Sequence, residues 1–239
     1  MQEKIIKTNN SGNKQAITER NNSDVPEIKM YPASEKDFDT LTDISRICFP
    51  EQLRWKITKA HNRKWWENLI NTLNSEICVC SLHGRVIAYI VFAPDRIEYE
   101  DAWDKQSFTF LDCLLIFMSS PKQFINKMYV KLKRHKAAKI KNPESSEYDD
   151  SENTYKKIRS IMAESKPWCG PIALLPDVRG KGISLKMMEH CFQRAGSLGH
   201  NEIYTAVRKD NIMSRVMVAI AGFNVIDEAG YLIFYKKNL

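Results

Sequence analysis

The segment Leu175-Pro-Asp-Val-Arg-Gly-Lys-Gly-Ile-Ser184 decides the fold class, because it follows an apolar run and opens an amphipathic one. Residues 171–175 have the composition of a strand, and residues 184–195 carry apolar side chains at helical spacing. Between them, Gly180 and Gly182 allow positive φ angles and a close approach of the backbone to a ligand. The pattern predicts a strand, a glycine-rich turn and a helix N-terminus in direct succession.

A helix N-terminus that follows glycines is suited to binding an anion such as a pyrophosphate. Its first amides have no partner within the helix, and the helix dipole adds partial positive charge. Arg179 and Lys181 add charge, and Ser184 is small. The spacing of a P-loop and the three glycines of a Rossmann dinucleotide site are both absent, so a different phosphate-containing ligand is indicated. An ordinary strand-to-helix turn is the alternative interpretation.

The remaining sequence alternates strand and helix patterns. The predicted strands cover residues 28–31, 77–82, 86–92, 171–175, 202–207, 223–226 and 231–235, and the predicted helices 35–48, 59–73, 184–195 and 211–220. Ser34 is the predicted N-cap of the first helix, and residues 227–230 are a predicted turn. Of the adjacent Trp65 and Trp66, we expect one to be half exposed, because neighbours on a helix do not share a face. The order of elements predicts an α/β class with a central sheet.

Two segments depart from this alternation. Residues 1–26 are rich in polar residues without periodicity, which predicts a disordered tail before a single domain at 27–239. Residues 96–166 hold an apolar run, a basic stretch from Lys127 to Lys141 and an acidic patch, and we predict a largely helical insertion there. The basic stretch could bind RNA, a lipid head group or an acidic substrate, but we favour a solvated helix face. Long insertions are often functional, and this one could build a lid or an acceptor pocket.

Composition limits the class of protein. The chain has 239 residues, 43% of them hydrophobic, and a formal net charge of +7, so it can bury a sizeable core and suits anionic partners. The six cysteines lack metal-ligand spacing and no histidine cluster accompanies them, so we expect reduced thiols and no metal site. The sequence shows neither a signal peptide nor an apolar run long enough to span a bilayer, and we predict a cytoplasmic protein.

Three motifs occur in a defined order: Arg179-x-x-Gly182-x-Ser184, then Asn211 after a strand, then Gly222-Phe223 after a helix. Together they resemble the GNAT superfamily of acyl-CoA-dependent N-acyltransferases, whose signature is Arg/Gln-x-x-Gly-x-Gly/Ala. Ser184 stands at the last small position of that signature. The resemblance implies a mixed, mostly antiparallel central sheet flanked by helices. It also implies acetyl-CoA or another acyl-CoA as cofactor, and transfer of the acyl group to an amine in a ternary complex.

The resemblance further implies which residues hold the cofactor. Backbone amides of the loop would bind the pyrophosphate, and these belong to Arg179, Gly180, Lys181, Gly182, Ile183 and Ser184. The strand carrying Leu174 and Leu175 would pair with the pantetheine arm, while the strand at 203–207 would diverge from it. Asn211 would contact the arm or cap the next helix. We expect a small-molecule or sugar-nucleotide amine as acceptor rather than a protein, and no nucleic-acid partner.

The sequence departs from the family at Val218, where many members carry a tyrosine that protonates the departing thiolate. The catalytic acid and base are therefore left unassigned, with Glu51, His61, His83 and Tyr204 as candidates for the base. A non-catalytic acyl-CoA-binding protein of the same fold and a basic nucleic-acid-interaction module are the alternative functions. The acyl chain length and the oligomeric state are not predicted.

Overall fold

The computed structural model describes residues 28–52, 57–72, 75–99 and 166–239, with isolated helical positions within 114–125 and at 160–161. The predicted tail and most of the predicted insertion, including the stretch from Lys127 to Lys141, lie outside the described residues. Their predicted structures therefore stay predictions.

A seven-stranded sheet organises the described residues. Its strands are β1 (Ile28–Pro32), β2 (Glu76–Leu82), β3 (Arg85–Ala93), β4 (Trp168–Leu174), β5 (Glu202–Arg208), β6 (Asn224–Ala229) and β7 (Leu232–Asn238). The spatial order is β1-β2-β3-β4-β5-β7-β6. Every neighbouring pair is antiparallel except β4 and β5, which are parallel. The prediction of a mixed, mostly antiparallel central sheet is confirmed.

Helices cover both faces of the sheet. They are α1 (Phe38–Cys48), α2 (Lys59–Thr72), α3 (Ile183–Ser197) and α4 (Ile212–Ile220). On one face, the hydroxyl of Tyr89 in β3 lies 2.7 Å from Ser45 Oγ in α1, and its ring packs edge-on against Trp66 in α2. On the other face, Glu76 of β2 contacts His190 Nε2 of α3 at 2.6 Å. Among the described residues, no helix is long and apolar enough to cross a membrane.

Ser34 begins the first helical segment, as predicted. Its backbone N–H and its hydroxyl each donate to Asp37 Oδ2 at 2.9 Å, within a capping box. A 3-10 turn at Glu35–Asp37 precedes α1. The polar cap thus sets the start of the helical segment that continues into α1. The other end of α1, at Cys48, lies close to Arg179 of the glycine-rich segment.

Three strand ends differ by three residues from the predicted ones. β4 begins at Trp168 rather than at residue 171, β6 continues through the predicted turn as far as Ala229, and β7 ends at Asn238 rather than at residue 235. β6 is an edge strand with exposed positions, so acidic residues such as Asp227 and Glu228 cost it little. Their polarity resembles that of a turn, although only Gly230 and Tyr231 separate β6 from β7.

The expectation that Trp65 or Trp66 would be half exposed was also wrong. Their exposed fractions are 4% and 0%, and their rings meet edge-on with centroids 4.5 Å apart. Adjacent helical side chains point about 100° apart. Both are buried because α2 lies against α1 as well as against Tyr89 of the sheet.

Candidate active site

The glycine-rich segment connects β4 to α3 as an open backbone surface. Gly180 and Gly182 have φ angles of 76° and 73°, and Gly182 is the N-cap of α3. A Cβ atom added to either glycine would meet no atom within 4 Å, so the space in front of the loop is open. Because the first amides of α3 have no intrahelical partner, this surface suits an anionic group such as a pyrophosphate.

The side chains of this loop face different ways. Ile183 is 2% exposed and packs into the core, so it can offer a ligand only its backbone. Ser184 is half-buried as the second residue of α3, and Lys181 is exposed. Arg179 turns back over the end of β4, where its Nε donates to the Leu174 carbonyl at 3.2 Å. Positive charge therefore lies at the exposed loop residue Lys181 and, through Arg179, at the end of β4.

Cys48, at the end of α1, is a neighbour of this loop that the sequence analysis missed. Its Sγ donates to the Leu174 carbonyl at 3.1 Å and lies 3.9 Å from Arg179 Nη2. Burial raises the pKa of the Cys48 thiol, which keeps the donor protonated. No periodicity signals a contact between residues 126 positions apart, so only the tertiary structure reveals it.

The parallel strands β4 and β5 meet at one end only. Trp168 and Tyr204 form their single register pair, and the Tyr204 amide donates to the Pro167 carbonyl at 2.9 Å. Just beyond, Thr205 Oγ1 donates to the Cys169 carbonyl at 2.8 Å. Further along, toward the glycine loop, the two strands share no register pair. The divergence expected for residues 203–207 is therefore present as a gap between β4 and β5.

A β-bulge lies at the start of this gap. In the pairing of β3 with β4, Ile90 is opposite Ile172 and Phe92 is opposite Cys169. Residues 170 and 171 of β4 therefore both face Val91 of β3. A bulge bends its strand and increases the local twist. Here it coincides with the point where β4 leaves β5.

Removing the hydroxyl that joins the two strands tests this junction. We expect Thr205→Val to lower the free energy of unfolding by about 1–3 kcal/mol, since the side chain is 7% exposed and a buried hydrogen bond is lost. Thr205→Ser keeps the hydroxyl and is the matched control. Urea denaturation of both variants measures the difference. An equal loss in Thr205→Ser would show that methyl packing, and not the hydrogen bond, stabilises the junction.

Leu174 and Leu175 do not play equivalent parts. Leu175 lies one residue beyond β4, and its amide donates to the Ile87 carbonyl of β3 at 3.0 Å. Backbone groups alternate in direction along a strand, so those of Leu174 and Ile172 face the gap instead. The Leu175 amide therefore belongs to the sheet, while the Leu174 carbonyl accepts hydrogen bonds from Cys48 Sγ and Arg179 Nε. Pairing of Leu174 and Leu175 with a ligand arm stays a prediction.

Asn211 caps α4. Its Oδ1 accepts a hydrogen bond from the Ser214 amide at 3.1 Å, which is the capping geometry that the sequence allowed. Val218 is 1% exposed and part of the core. Its alkyl side chain cannot donate a proton.

The four candidate bases occupy separate places. Glu51 is exposed, 3.9 Å from a guanidinium nitrogen of the β5 residue Arg208. His61 is half-buried in α2, and His83 is exposed in the turn between β2 and β3. Tyr204 alone lies at the β4–β5 junction. Burial and the hydrogen bond that its hydroxyl donates to Glu202 raise the pKa of Tyr204, so it is protonated at neutral pH and is not a base there.

Part of the sequence matches a known protein family. Residues 148–223 match the model of the acetyltransferase (GNAT) family. No curated protein matches the sequence.

Solved structures of N-acetyltransferases share the fold at low sequence identity. A ribosomal-protein-alanine N-acetyltransferase from Brucella melitensis is 12% identical with a TM-score of 0.51, covering 88% of this chain and 99% of its own. An N-acetyltransferase from Staphylococcus aureus Mu50 is 13% identical with a TM-score of 0.50, covering 89% and 98%. The PaiA N-acetyltransferase from Thermoplasma acidophilum, solved with coenzyme A, is 10% identical with a TM-score of 0.50, covering 89% and 99%. Residues 148–223 therefore resemble the acetyltransferase (GNAT) family, and the described sheet and helices share the fold of these N-acetyltransferase structures.

Proposed function

We propose that this protein transfers an acyl group, acetyl foremost, from acyl-CoA to an amine by direct attack in a ternary complex. The observation that carries the proposal is the placement of an anion-binding loop at one end of β4 and a strand junction at the other. Between them, β4 shares no register pair with β5. β4 has seven residues and is therefore on the order of 20 Å long, which suits an extended ligand with one anionic end.

The residues of this chain fit acyl-CoA. The amides from Gly180 to Ser184 would hold its pyrophosphate, while that of Arg179 already donates to the Pro176 carbonyl. Lys181 adds an exposed positive charge to the loop. The Leu174 amide and the backbone groups of Ile172 would pair with the pantetheine arm, whose amides mimic a strand. The Leu174 carbonyl already accepts hydrogen bonds from Cys48 and Arg179. When bound, the cofactor supplies an activated thioester.

Positioning is the main contribution that the chain would make to the reaction. Holding an amine against a thioester in the gap can supply up to about 7–11 kcal/mol in favourable cases. A backbone N–H on the gap side of β4 would stabilise the developing oxyanion. Because Val218 cannot act as an acid, protonation of the thiolate falls to water or to another group. Deprotonation of the amine needs a base only if the amine arrives charged.

Cofactor binding is tested by the melting temperature with and without acetyl-CoA, beside longer acyl-CoAs and free CoA. At about a hundred times the dissociation constant, a ligand stabilises the folded state by about 2.7 kcal/mol. For a chain of this size, that corresponds to a rise of about 5–10 °C. The strongest rise names the donor. An unchanged melting temperature with every acyl-CoA would contradict the proposal.

The second candidate function is binding of acyl-CoA without turnover, which Val218 favours. Release of free CoA in the presence of amines separates the two, since a binder releases none. The basic nucleic-acid module rests on Lys127 to Lys141, and salt-dependent RNA or DNA binding would support it. We propose a small-molecule or sugar-nucleotide acceptor and a cytoplasmic location.

A further inference from the structure

Helix α4 carries apolar side chains on its outer surface as well as on the side that faces the sheet. Val218 is 1% exposed and belongs to the core. By contrast, Met213, Val216 and Ile220 are 79%, 48% and 68% exposed. Their spacing of three and four residues places them on one side of the helix, with Ile212 at the margin. We call these three side chains the outer stripe of α4.

The edge strand β6 extends this apolar surface. Val225 is 57% exposed and is paired with Tyr235 of β7. Two residues further along β7, Lys237 Nζ donates to the Ala221 carbonyl at the end of α4 and lies 4.9 Å from the centroid of the Phe192 ring in α3. Alternate residues of a strand point to the same face of a sheet. Val225 therefore lies on the face that α3 and α4 cover.

The size of this surface fits the centre of a protein interface. The outer stripe and Val225 expose on the order of 500 Å², near the upper end for the largest apolar patch of a monomer. A standard interface buries about 800 Å² on each partner, and it has an apolar centre and a polar rim. With a polar rim added, the surface is large enough for a stable contact.

The charges beside the stripe are largely balanced within the chain. Lys209 Nζ lies 2.8 Å from Glu228 Oε2, and Arg208 Nη2 lies 2.6 Å from Asp210 Oδ2. Arg215 is the only charged residue of α4, and its Nη1 donates to the Lys209 carbonyl at 3.2 Å. A helix that lies on a membrane is rich in Lys and Arg on its polar face. An apolar stripe with balanced charges beside it instead complements a copy of itself.

The parts of the chain outside the described residues are attached far from the stripe. Residues 1–27 lead into β1, at the edge of the sheet opposite β6. The long segment after Arg96 returns at Trp168, and the Arg96 guanidinium carbon lies 3.3 Å from the centroid of the Trp168 ring. Trp168 is opposite Ala93 of β3, which shares a face with Tyr89 and therefore with α1 and α2. This segment thus starts from the other face of the sheet, which favours a second copy as the occupant.

We propose that the outer stripe of α4 is the contact surface of a homodimer, in which the α4 helices of two copies pack antiparallel across a twofold axis. In this arrangement Met213 of one copy meets the partner's Ile220. Val216 lies between them along the helix and meets its own counterpart near the axis. The contact removes apolar surface from water and needs no new ion pair. It is independent of the proposed acyl transfer.

Sedimentation velocity of the full chain tests the oligomeric state, and we expect a dimer at micromolar concentrations. Val216→Glu and Val216→Lys each place two like charges together near the axis. We expect either variant to raise the dissociation constant of the dimer at least about 100-fold. An equimolar mixture of the two variants places opposite charges together, so it should form a dimer again.

Two further variants control for unfolding and for surface charge. Met213→Glu changes the most exposed side chain of the stripe, so it should stay folded and still weaken the dimer. Ile47→Glu adds the same charge on α1, where Ile47 is 52% exposed, and it should leave the dimer unchanged. Far-UV circular dichroism verifies the fold of each variant.

Several outcomes would overturn the proposal. A wild-type chain that stays monomeric at submillimolar concentration would do so, as would a dimer that survives both Val216→Glu and Met213→Glu. Monomeric Val216 variants whose mixture also stays monomeric would exclude the twofold contact at this residue. Cosedimentation of a monomeric wild-type chain with phosphatidylcholine–phosphatidylglycerol vesicles, lost in Met213→Glu, would assign the stripe to a lipid surface instead.

Discussion

Gly182→Trp is expected to abolish the stabilisation of this protein by acetyl-CoA. Gly182 is the N-cap of α3, and a side chain there would project into the open space in front of the loop amides. An indole ring in that space would exclude a pyrophosphate. The wild-type melting temperature should rise by about 5–10 °C with saturating acetyl-CoA, and that of the variant should rise by less than about 1 °C.

The variant also strains the backbone, and a matched control removes this effect. At a φ of 73°, any residue with a Cβ atom costs about 1–2 kcal/mol. Gly199, just beyond the other end of α3, has a φ of 84° and equally open space around it. Gly199→Trp should therefore lose similar stability without ligand, yet keep the full response to acetyl-CoA. If Gly182→Trp responded as Gly199→Trp does, the loop would not be the cofactor site.

Trp66→Ala is expected to cause the largest loss of stability, about 3–5 kcal/mol. Trp66 is fully buried, packs edge-on against Tyr89 with centroids 5.4 Å apart, and donates its indole N–H to Thr42 Oγ1 at 3.0 Å. Its removal leaves a cavity between α1, α2 and the sheet. The loss is a large fraction of the roughly 5–15 kcal/mol that stabilises a typical domain.

One further variant separates the hydrogen bond of Trp66 from its packing, and another is a surface control. Trp66→Phe keeps most of the ring packing and removes the hydrogen bond, so we expect it to cost less than the alanine variant. Ile212→Ala removes an apolar side chain that is 66% exposed, and we expect a change within about 0.5 kcal/mol. Urea denaturation at constant pH compares all three. A loss below about 1 kcal/mol in Trp66→Ala would contradict the assigned core.

Local patterns in the sequence were sufficient for much of the fold. Apolar periodicity and strand-like composition located α1 to α4 and the seven strands of the described residues to within about three residues. The prediction for residues 227–230 failed because an edge strand tolerates polar side chains that a central strand would not. Asp227 and Glu228 are compatible with a strand only because β6 lies at the edge. Trp65 is buried because a second helix covers the side of α2 that an isolated helix would expose.

The features of the candidate site also fall into two groups, those set by local sequence and those set by tertiary contacts. Gly180 and Gly182, the cap at Asn211 and the start of α3 are local features, and the sequence by itself determined them through backbone conformation and helix termini. The pairing of Cys48 with Leu174, the separate orientations of Leu174 and Leu175, and the junction of Trp168 with Tyr204 were decided only by the tertiary structure. So was the meeting of Arg96 with Lys166, 70 positions away in the chain. Each of these depends on strand register and on long-range contacts, which leave no periodic signal in the sequence.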